Sequence, residues 1–174
     1  NIDEYLISLD TRLSVKFGDR FNLERALQLI NKTNQFNLNG LRLTNKDLEF
    51  FLEKGNKILI GELSDKNGSH GEILVLTIDS FGNIFNFVMS CRVFQRKAEY
   101  AFLSIMNRLG FKEVKFEFIP TKRNKPFHNF ATKVGVEYKT NKFLLNEESL
   151  NDLSKNFEKI IEIDFQNLDL IIPN

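Results

Sequence analysis

Two hydrophobic periods alternate along the chain, and together they predict interleaved helices and strands. Apolar residues three and four positions apart indicate five helices. These cover 22–33, 44–54, 98–109, 127–134 and 149–157, and Gly55, Gly110 and Gly135 end three of them. Thr44 followed by Asp47 is typical of a cap that begins the second of these helices.

Alternating or nearly continuous apolar residues predict the strands. They cover 13–17, 57–63, 73–78, 84–93, 114–118 and 136–145, with 161–165 as an edge strand. The segment 65–71 is predicted as a hairpin loop. Because antiparallel strands come first and strand–helix–strand crossings follow, we expect an α/β fold with a mixed central sheet flanked by helices.

Composition argues against several classes of protein. The chain has 174 residues, 42% of them hydrophobic, which is enough for one sizeable core. No apolar stretch approaches the roughly 20 residues of a membrane span, and a net charge of +1 argues against nucleic acid as a main partner. One cysteine and two histidines cannot form an internal disulfide or a typical zinc site, so we expect no metal and a reducing cytoplasm.

Charge divides the chain into two parts. Residues 147–174 hold seven acids against two lysines, although the whole chain has a net charge of +1. We therefore expect a main domain over 1–145 and an acidic C-terminal helix and tail over 146–174, which packs on the domain or extends from it. The start at Asn1, without an initiator methionine, predicts a piece of a longer protein.

Three polar segments follow apolar segments and are candidate parts of a site. Residues 31–37 read NKTNQFN, residues 89–92 read MSCR with the only cysteine, and residues 119–124 read IPTKRN. Asparagine and glutamine fill helix interiors and apolar cores poorly, and they favour caps, turns and places where amides meet other polar groups. The three segments together predict the rim of a pocket.

The order of elements and four polar motifs resemble one family. NKTNQFN after the first helix, DKNGSHG in the predicted hairpin, MSCRV before the central helix and IPTKRN after the next strand occur in that order. They are similar to the motifs of the C-terminal domain of FkbH-like proteins, and the resemblance covers about residues 3–138. It implies a GNAT-like fold, the fold of acyl-CoA N-acyltransferases.

The resemblance also implies a function. FkbH-like proteins couple a haloacid-dehalogenase-type phosphatase domain to the GNAT-like domain, and they load a glyceryl or related acyl unit from a small phosphorylated acid onto an acyl carrier protein. The phosphatase half needs two aspartates two residues apart, and no two aspartates of this chain have that spacing. We therefore expect the phosphatase-like domain upstream of this chain, and we expect the fragment alone to be inactive.

Cys91 is the candidate catalytic residue, as the acceptor of the acyl group. A cysteine at a strand end, close to Arg92 and Arg96 and near a helix N-terminus, is suited to ionise and carry an acyl group. The alternative is a small core residue, because alternation along 84–93 places Cys91 on the same side as Phe87 and Met89.

The turn before the central helix holds the candidate phosphate ligands Arg92, Gln95, Arg96 and Lys97. In GNAT enzymes this turn has the sequence pattern Q/R-x-x-G-x-G/A, which lets backbone N–H groups bind a pyrophosphate. Gln95 and Lys97 stand at the glycine positions, which argues against ordinary acetyl-CoA binding. The resemblance implies phosphopantetheine or a coenzyme A thioester as the ligand, whereas the residues alone identify no cofactor.

Ala131 is a second departure from the GNAT pattern. Many GNAT enzymes and FkbH-like relatives have a tyrosine there, which acts as general acid toward the leaving thiolate, and alanine has no proton to donate. Nearby, Lys122, Arg123 and Lys125 extend a basic rim that suits an acidic carrier protein, or they are ordinary solvated cations.

The candidate substrate-binding residues are amides and one hydroxyl that suit a hydroxy-acid: Asn34, Gln35, Asn37, Thr121 and Asn124. For the first three, the alternative is a helix C-cap that ties the helix to the following loop. His70 in the predicted hairpin is a candidate base, but the sequence Gly-Ser-His-Gly favours a solvated turn. His128, ahead of a helix, is expected to be structural or exposed.

Three hypotheses about function result. The first is the GNAT-like domain of an FkbH-like acyl transferase whose partners are a carrier protein, an upstream phosphatase-like domain and a phosphorylated acid. The second is a non-catalytic module that docks a carrier protein or a partner domain. The third, which the residues support least, is an autonomous acyl-CoA-dependent acyltransferase.

Overall fold

The computed structural model describes residues 1–166, and the nine strands of this range lie in one sheet. The strands are β1 (Arg12–Phe17), β2 (Phe36–Asn37), β3 (Lys57–Asp65), β4 (Gly68–Ile78), β5 (Asn83–Met89), β6 (Val114–Glu117), β7 (Val136–Lys139), β8 (Lys142–Leu145) and β9 (Glu162–Gln166). The helices are α1 (Ile2–Ser8), α2 (Glu24–Lys32), α3 (Asn45–Glu53), α4 (Ala98–Arg108), α5 (Lys125–Val134) and α6 (Glu147–Phe157).

The sheet is mixed, as the sequence predicts. Its order is β7-β8-β6-β5-β4-β3-β1-β9, and β2 pairs with β5 beside this path. At the centre of the sheet β4 pairs in antiparallel fashion with both β3 and β5. By contrast, β5 pairs in parallel with β6 and β1 pairs in parallel with β9. The connection from β5 to β6 passes through α4, which is the strand–helix–strand crossing expected of an α/β fold.

Helices cover both faces of the sheet and divide the core into two clusters. On one face α2 and α3 bury residues such as Leu23, Ile30 and Leu48 against β3, β4 and β5. On the other face α4, α5 and α6 enclose a larger cluster that is rich in phenylalanine. In that cluster the rings of Phe36 and Phe127 meet edge-on at 4.8 Å, an arrangement that aromatic rings favour.

Local sequence explains the boundaries of several helices. Thr44 and Asp47 form the predicted capping box, in which the Asp47 carboxylate accepts from the Thr44 backbone N–H at 2.7 Å. These hydrogen bonds hold the pKa of Asp47 below its ordinary value. At the end of α4, Gly110 has φ of +89°, a conformation that glycine adopts without steric strain.

Four local features differ from the predictions made from sequence. The hairpin is tighter than the predicted loop over 65–71, because β4 already begins at Gly68. The single strand predicted over 136–145 is a hairpin of β7 and β8. Neither α1 nor β2 was predicted, since α1 is only seven residues long with one buried side chain, Leu6, and β2 is only two residues long.

The strand predicted over 84–93 is wrong in two respects. It ends at Met89, and residues Cys91–Val93 form a single 3₁₀ turn. It also contains a bulge, because Asn86 pairs with Thr77 and Ile84 pairs with Ile78, which leaves Phe85 unpaired. Phe85 therefore contacts Phe51 and is 46% exposed, and regular alternation does not hold along the segment.

The acidic C-terminal part packs on the main body of the fold as far as the structure describes it. α6 lies against α4, where Arg108 bonds the carboxylate of Glu158 at 2.7 Å. β9 forms the sheet edge beside β1, as predicted. Residues 167–174 of the predicted tail lie outside the described residues. Within residues 1–166 no helix is both long and apolar enough to cross a membrane.

Candidate functional site

A cavity of about 270 Å³ lies where the predicted polar segments approach one another. NKTNQFN contributes Lys32, Thr33, Asn34, Gln35 and Phe36, MSCR contributes Met89, Ser90 and Cys91, and IPTKRN contributes Arg123. The rest of the lining comes from α2 and from the turn before α4: Arg25, Gln28, Leu29 and Phe94. The three segments therefore share one cavity, although most of their predicted site residues lie outside it.

Cys91 is exposed at this cavity and is not a core residue. It follows the end of β5 and begins the 3₁₀ turn Cys91–Val93. Ser90 caps this turn, and its hydroxyl accepts from the Arg92 backbone N–H at 3.4 Å. The side chain that points into the core from this turn is Val93, which is fully buried. The predicted alternative for Cys91, a small core side chain, is therefore wrong because the strand ends before it.

Of the predicted amide set, Asn34 and Gln35 line the cavity and Asn37 does not. The Asn34 side-chain oxygen accepts from the Arg42 guanidinium at 2.6 Å, whereas Gln35 is exposed. Asn37 is buried, and its side chain bonds the backbone of Thr33, Asn39 and Gly40. Asn37 thus has a structural role at the helix end, and a ligand has access to Gln35.

Thr121 and Asn124 are used within the fold. The Asn124 side chain is buried and donates to the backbone oxygens of Asn37 and Ile119, both at 2.9 Å, while its oxygen accepts from the Thr121 backbone N–H. The Thr121 hydroxyl accepts from the backbone N–H groups of Arg123 and Asn124. Neither residue lines the cavity, so the structure does not bring them together with Cys91.

Strand β2 occupies the crevice between β5 and β6. These parallel strands pair only at Asn83–Lys115 and Ile84–Phe116 and separate toward their carboxyl ends, where ligands bind in many open α/β sheets. Phe36 and Asn37 of β2 pair with Met89 and Val88 of β5. On the other side of the crevice, the Ile119 N–H donates to the Leu38 oxygen at 3.1 Å.

The turn before α4 keeps a glycine-like backbone although it carries larger residues. Gln95 has φ of +68° and Lys97 has φ of +61°, the left-handed region that side chains other than glycine rarely adopt. Both stand at the glycine positions of the Q/R-x-x-G-x-G/A pattern. The backbone shape expected of a GNAT-type turn is therefore present without its glycines.

Two of the candidate phosphate ligands in this turn have carboxylate partners. Arg96 bonds Asp65 at 3.0 Å, and Lys97 forms an ion pair with Asp3 of α1. Arg92 is exposed and donates to the backbone oxygen of His70 at 3.3 Å. None of Arg92, Gln95, Arg96 and Lys97 contributes to the 270 Å³ cavity.

Asp65 joins this turn to the β3–β4 hairpin. Its side chain is only 2% exposed and bonds both the Arg96 guanidinium and the His70 ring, the latter at 2.9 Å. The hydrogen bond from His70 holds the pKa of Asp65 below its ordinary value, and Arg96 adds to this effect. His70 was predicted in a solvated turn; it lies in β4 and its side chain is 29% exposed.

Glu99 is a half-buried carboxylate with one buried oxygen, and sequence reasoning did not identify it. It lies in the first turn of α4, and its Oε2 has no hydrogen-bond partner within the described part of the chain. Burial raises the pKa of Glu99, while Lys133 and Lys97 oppose that rise only partly. The only sequence signal for the burial of Glu99 is its position beside Ala98 at the start of a predicted helix, and that signal is weak.

Two cations of the cavity, Arg25 and Lys32, were also not predicted. They lie on α2 with Gln28, at positions i, i+3 and i+7, so that all three share one helix face. This spacing was present in the sequence, but polar residues on one helix face usually indicate an ordinary solvated surface. Ala131, where the GNAT pattern has a tyrosine, is fully buried in the core beside the phenylalanines of α5.

Comparisons with known proteins support the fold. No protein-family model matches the chain, and the comparison with curated proteins gives no match. Among solved structures, a mutant of the spermidine N-acetyltransferase SpeG from Vibrio cholerae is similar to it, with a TM-score of 0.52 and 11% sequence identity. The similarity covers 82% of this chain and 98% of that one. The chain therefore has a GNAT-like fold, as predicted.

Proposed function

We propose that this chain is the GNAT-like domain of an FkbH-like acyl transferase, in which Cys91 accepts a glyceryl or related acyl unit and passes it to an acyl carrier protein. The observation that carries the proposal is the position of Cys91. Its thiol is exposed at a cavity that also holds the amides of Asn34 and Gln35. An exposed thiol beside hydrogen-bonding groups fits a covalent acyl carrier better than a packing residue.

The transfer requires a donor that is activated at its carboxyl carbon, because a thiolate does not displace oxygen from a free carboxylate. With an acyl phosphate, the Cys91 sulfur attacks the carbonyl carbon, the C–O bond to phosphate breaks, and phosphate leaves with the electron pair. The thiol of the carrier's phosphopantetheine then attacks the Cys91 thioester and releases the Cys91 thiolate. The proton of the attacking thiol passes to solvent or to the released thiolate, so no oxidant or reductant is needed.

The filled crevice argues against coenzyme A bound along the edge of β5. β2 already uses the edge of β5 from Phe87 to Met89, where an extended pantetheine chain would otherwise pair with the strand. Two of the basic side chains before α4 are neutralised by Asp3 and Asp65. Both observations weigh against an autonomous acyl-CoA enzyme, and a carrier thiol needs to reach only the exposed Cys91.

Intact-mass analysis of the protein tests the proposal. Incubation with the acyl phosphate of phosphoglyceric acid should add one acyl unit, and neutral hydroxylamine should remove it, as expected of a thioester. Because Cys91 is the only cysteine, Cys91→Ser should abolish the hydroxylamine-sensitive adduct, whereas Ser90→Ala should keep it. Addition of a phosphopantetheinylated carrier should then move the acyl unit to the carrier.

Carrier loading at an unchanged rate by Cys91→Ser would overturn the assignment of Cys91. The buried Ala131, which offers no general acid, favours a second candidate in that case: a non-catalytic module that binds the carrier or the proposed phosphatase-like domain. Carrier binding without any adduct on Cys91, measured by calorimetry, would support this binding module.

A further inference from the structure

The cavity beside Cys91 is surrounded by positive charge that has no acidic partner. Arg25, Lys32 and Arg123 line it, and none of its lining residues is an aspartate or a glutamate. Among the residues that the structure describes, no ion pair involves any of these three side chains. Within the described part of the chain the three charges thus face the cavity without a salt bridge to a carboxylate.

We infer that this cavity binds a small acid with at least two negative charges, held by Arg25, Lys32 and Arg123, with its carbon chain against the apolar floor beside Cys91. The inference assigns the anion site to α2 and the 119–124 segment. It does not use the turn before α4, where Arg96 and Lys97 already have carboxylate partners.

The shape and polarity of the cavity define the ligand further. Its floor is formed by Leu29, Phe36 and Met89, which are buried apolar side chains. Its volume of about 270 Å³ equals the liquid volume of about nine water molecules, which suits an acid of a few carbons. An apolar floor under a cationic rim fits a short carbon chain that carries carboxylate or phosphate groups.

Local contacts orient the rim toward such a ligand. Arg25 donates to the side-chain oxygen of Gln28 at 2.5 Å, which restrains its guanidinium on the cavity side of α2. A guanidinium binds carboxylate or phosphate through two parallel N–H groups, whereas Lys32 adds a mobile point charge. Arg123 comes from the loop between β6 and α5, so cations reach the cavity from two elements that are far apart in the chain.

This inference rests on the proposed function only in taking the bound acid to be the acyl substrate. Its test does not require acyl transfer. Cys91 itself serves as the probe. Iodoacetate is anionic and iodoacetamide is neutral, and both alkylate the same thiolate, so the ratio of their rates cancels any change in thiol ionisation. A cationic cavity should raise the ratio, because it concentrates the anionic reagent near Cys91.

The key variant replaces the three cations together, as Arg25→Gln, Lys32→Gln and Arg123→Gln. The matched control replaces three exposed lysines that do not line the cavity, as Lys46→Gln, Lys66→Gln and Lys112→Gln, and so has the same net charge. At low ionic strength we expect the ratio of iodoacetate to iodoacetamide rates to fall at least about threefold in the key variant and less than about 1.5-fold in the control. Equal ratios in the two variants would overturn the inference.

Protection by an anion is the second measurement. Inorganic pyrophosphate should slow iodoacetamide alkylation of wild-type Cys91, and sodium chloride at the same ionic strength should not. Loss of this protection in the key variant would support the site, and equal protection by both salts would contradict it. An anion preference without an acyl adduct on Cys91 would overturn the proposed function alone, whereas an adduct without an anion preference would overturn this inference alone.

Discussion

The amide nitrogen of Asn124 donates to the backbone oxygen of Asn37 at 2.9 Å and so joins two segments that lie 87 positions apart in the chain. The same side chain also bonds Ile119 and Thr121, so that a single buried amide satisfies three backbone groups. This contact holds β2 in the crevice between β5 and β6. It also connects the NKTNQFN segment to the IPTKRN segment behind the cavity.

Asn124→Ala should therefore lower the free energy of unfolding by about 2–4 kcal/mol, because it leaves several buried backbone groups without partners. Chemical denaturation followed by circular dichroism would measure this loss. Asn129→Ala, at an exposed position of α5, is the matched control and should change the free energy by less than about 0.5 kcal/mol. Similar effects of the two substitutions would contradict the bracing role of Asn124.

Gln95→Gly should raise the free energy of unfolding, by about 0.5 kcal/mol. Gln95 is exposed and has φ of +68°. Glycine at this position removes a steric cost of roughly 1–2 kcal/mol from the folded state, and its greater freedom in the unfolded chain offsets about half of that gain. Gln95→Val should be destabilising, because a β-branched side chain tolerates this backbone least. Thermal unfolding of the two variants beside wild type would measure both effects, and a destabilising glycine would show that the Gln95 side chain makes a needed contact.

Glu99→Gln should stabilise the protein near neutral pH by about 1 kcal/mol, because a neutral amide avoids the cost of burying an unpaired charged oxygen. The folded-state pKa of Glu99 is raised above its ordinary value of 4.5, so the native protein holds a proton that the unfolded chain has lost. The wild type should thus lose stability as pH rises above 4.5, and the gain from Glu99→Gln should shrink toward zero below that pH. Denaturation curves at several pH values would show this trend, with the exposed Glu137→Gln as a control that should have no such trend.

Asp65→Asn should lower the free energy of unfolding by roughly 2 kcal/mol at neutral pH, because the buried carboxylate bonds both His70 and Arg96. The folded-state pKa of Asp65 lies below its ordinary value of 3.8, so its contribution is present above that value and is lost as pH falls through the lowered pKa. The difference between wild type and variant should accordingly close in strong acid. A difference that stays constant down to pH 2 would show that packing, and not charge, accounts for it, and Asp152→Asn at an exposed position provides the control.

Long periodic segments of this protein were predictable because burial of one face imposes a period on the residues themselves. The apolar stripe of α4, the capping box at Thr44 and the glycine at the end of α4 each carry a local signal. The mixed sheet followed from the order of these elements. Short or irregular parts such as β2 and the bulge at Phe85 carry no such signal, because long-range pairing alone creates them.

The candidate site shows the same division. The sequence by itself determined which residue types were present: one cysteine, three polar segments and large residues at two glycine positions. Only the tertiary structure decided which of them meet, because ion pairs and hydrogen bonds depend on distances between elements far apart in the chain. In the tertiary structure Arg96 pairs with Asp65, and Asn124 holds Asn37. Among residues 1–166, Arg25, Lys32 and Arg123 form no ion pair with a carboxylate and line the cavity of the exposed Cys91.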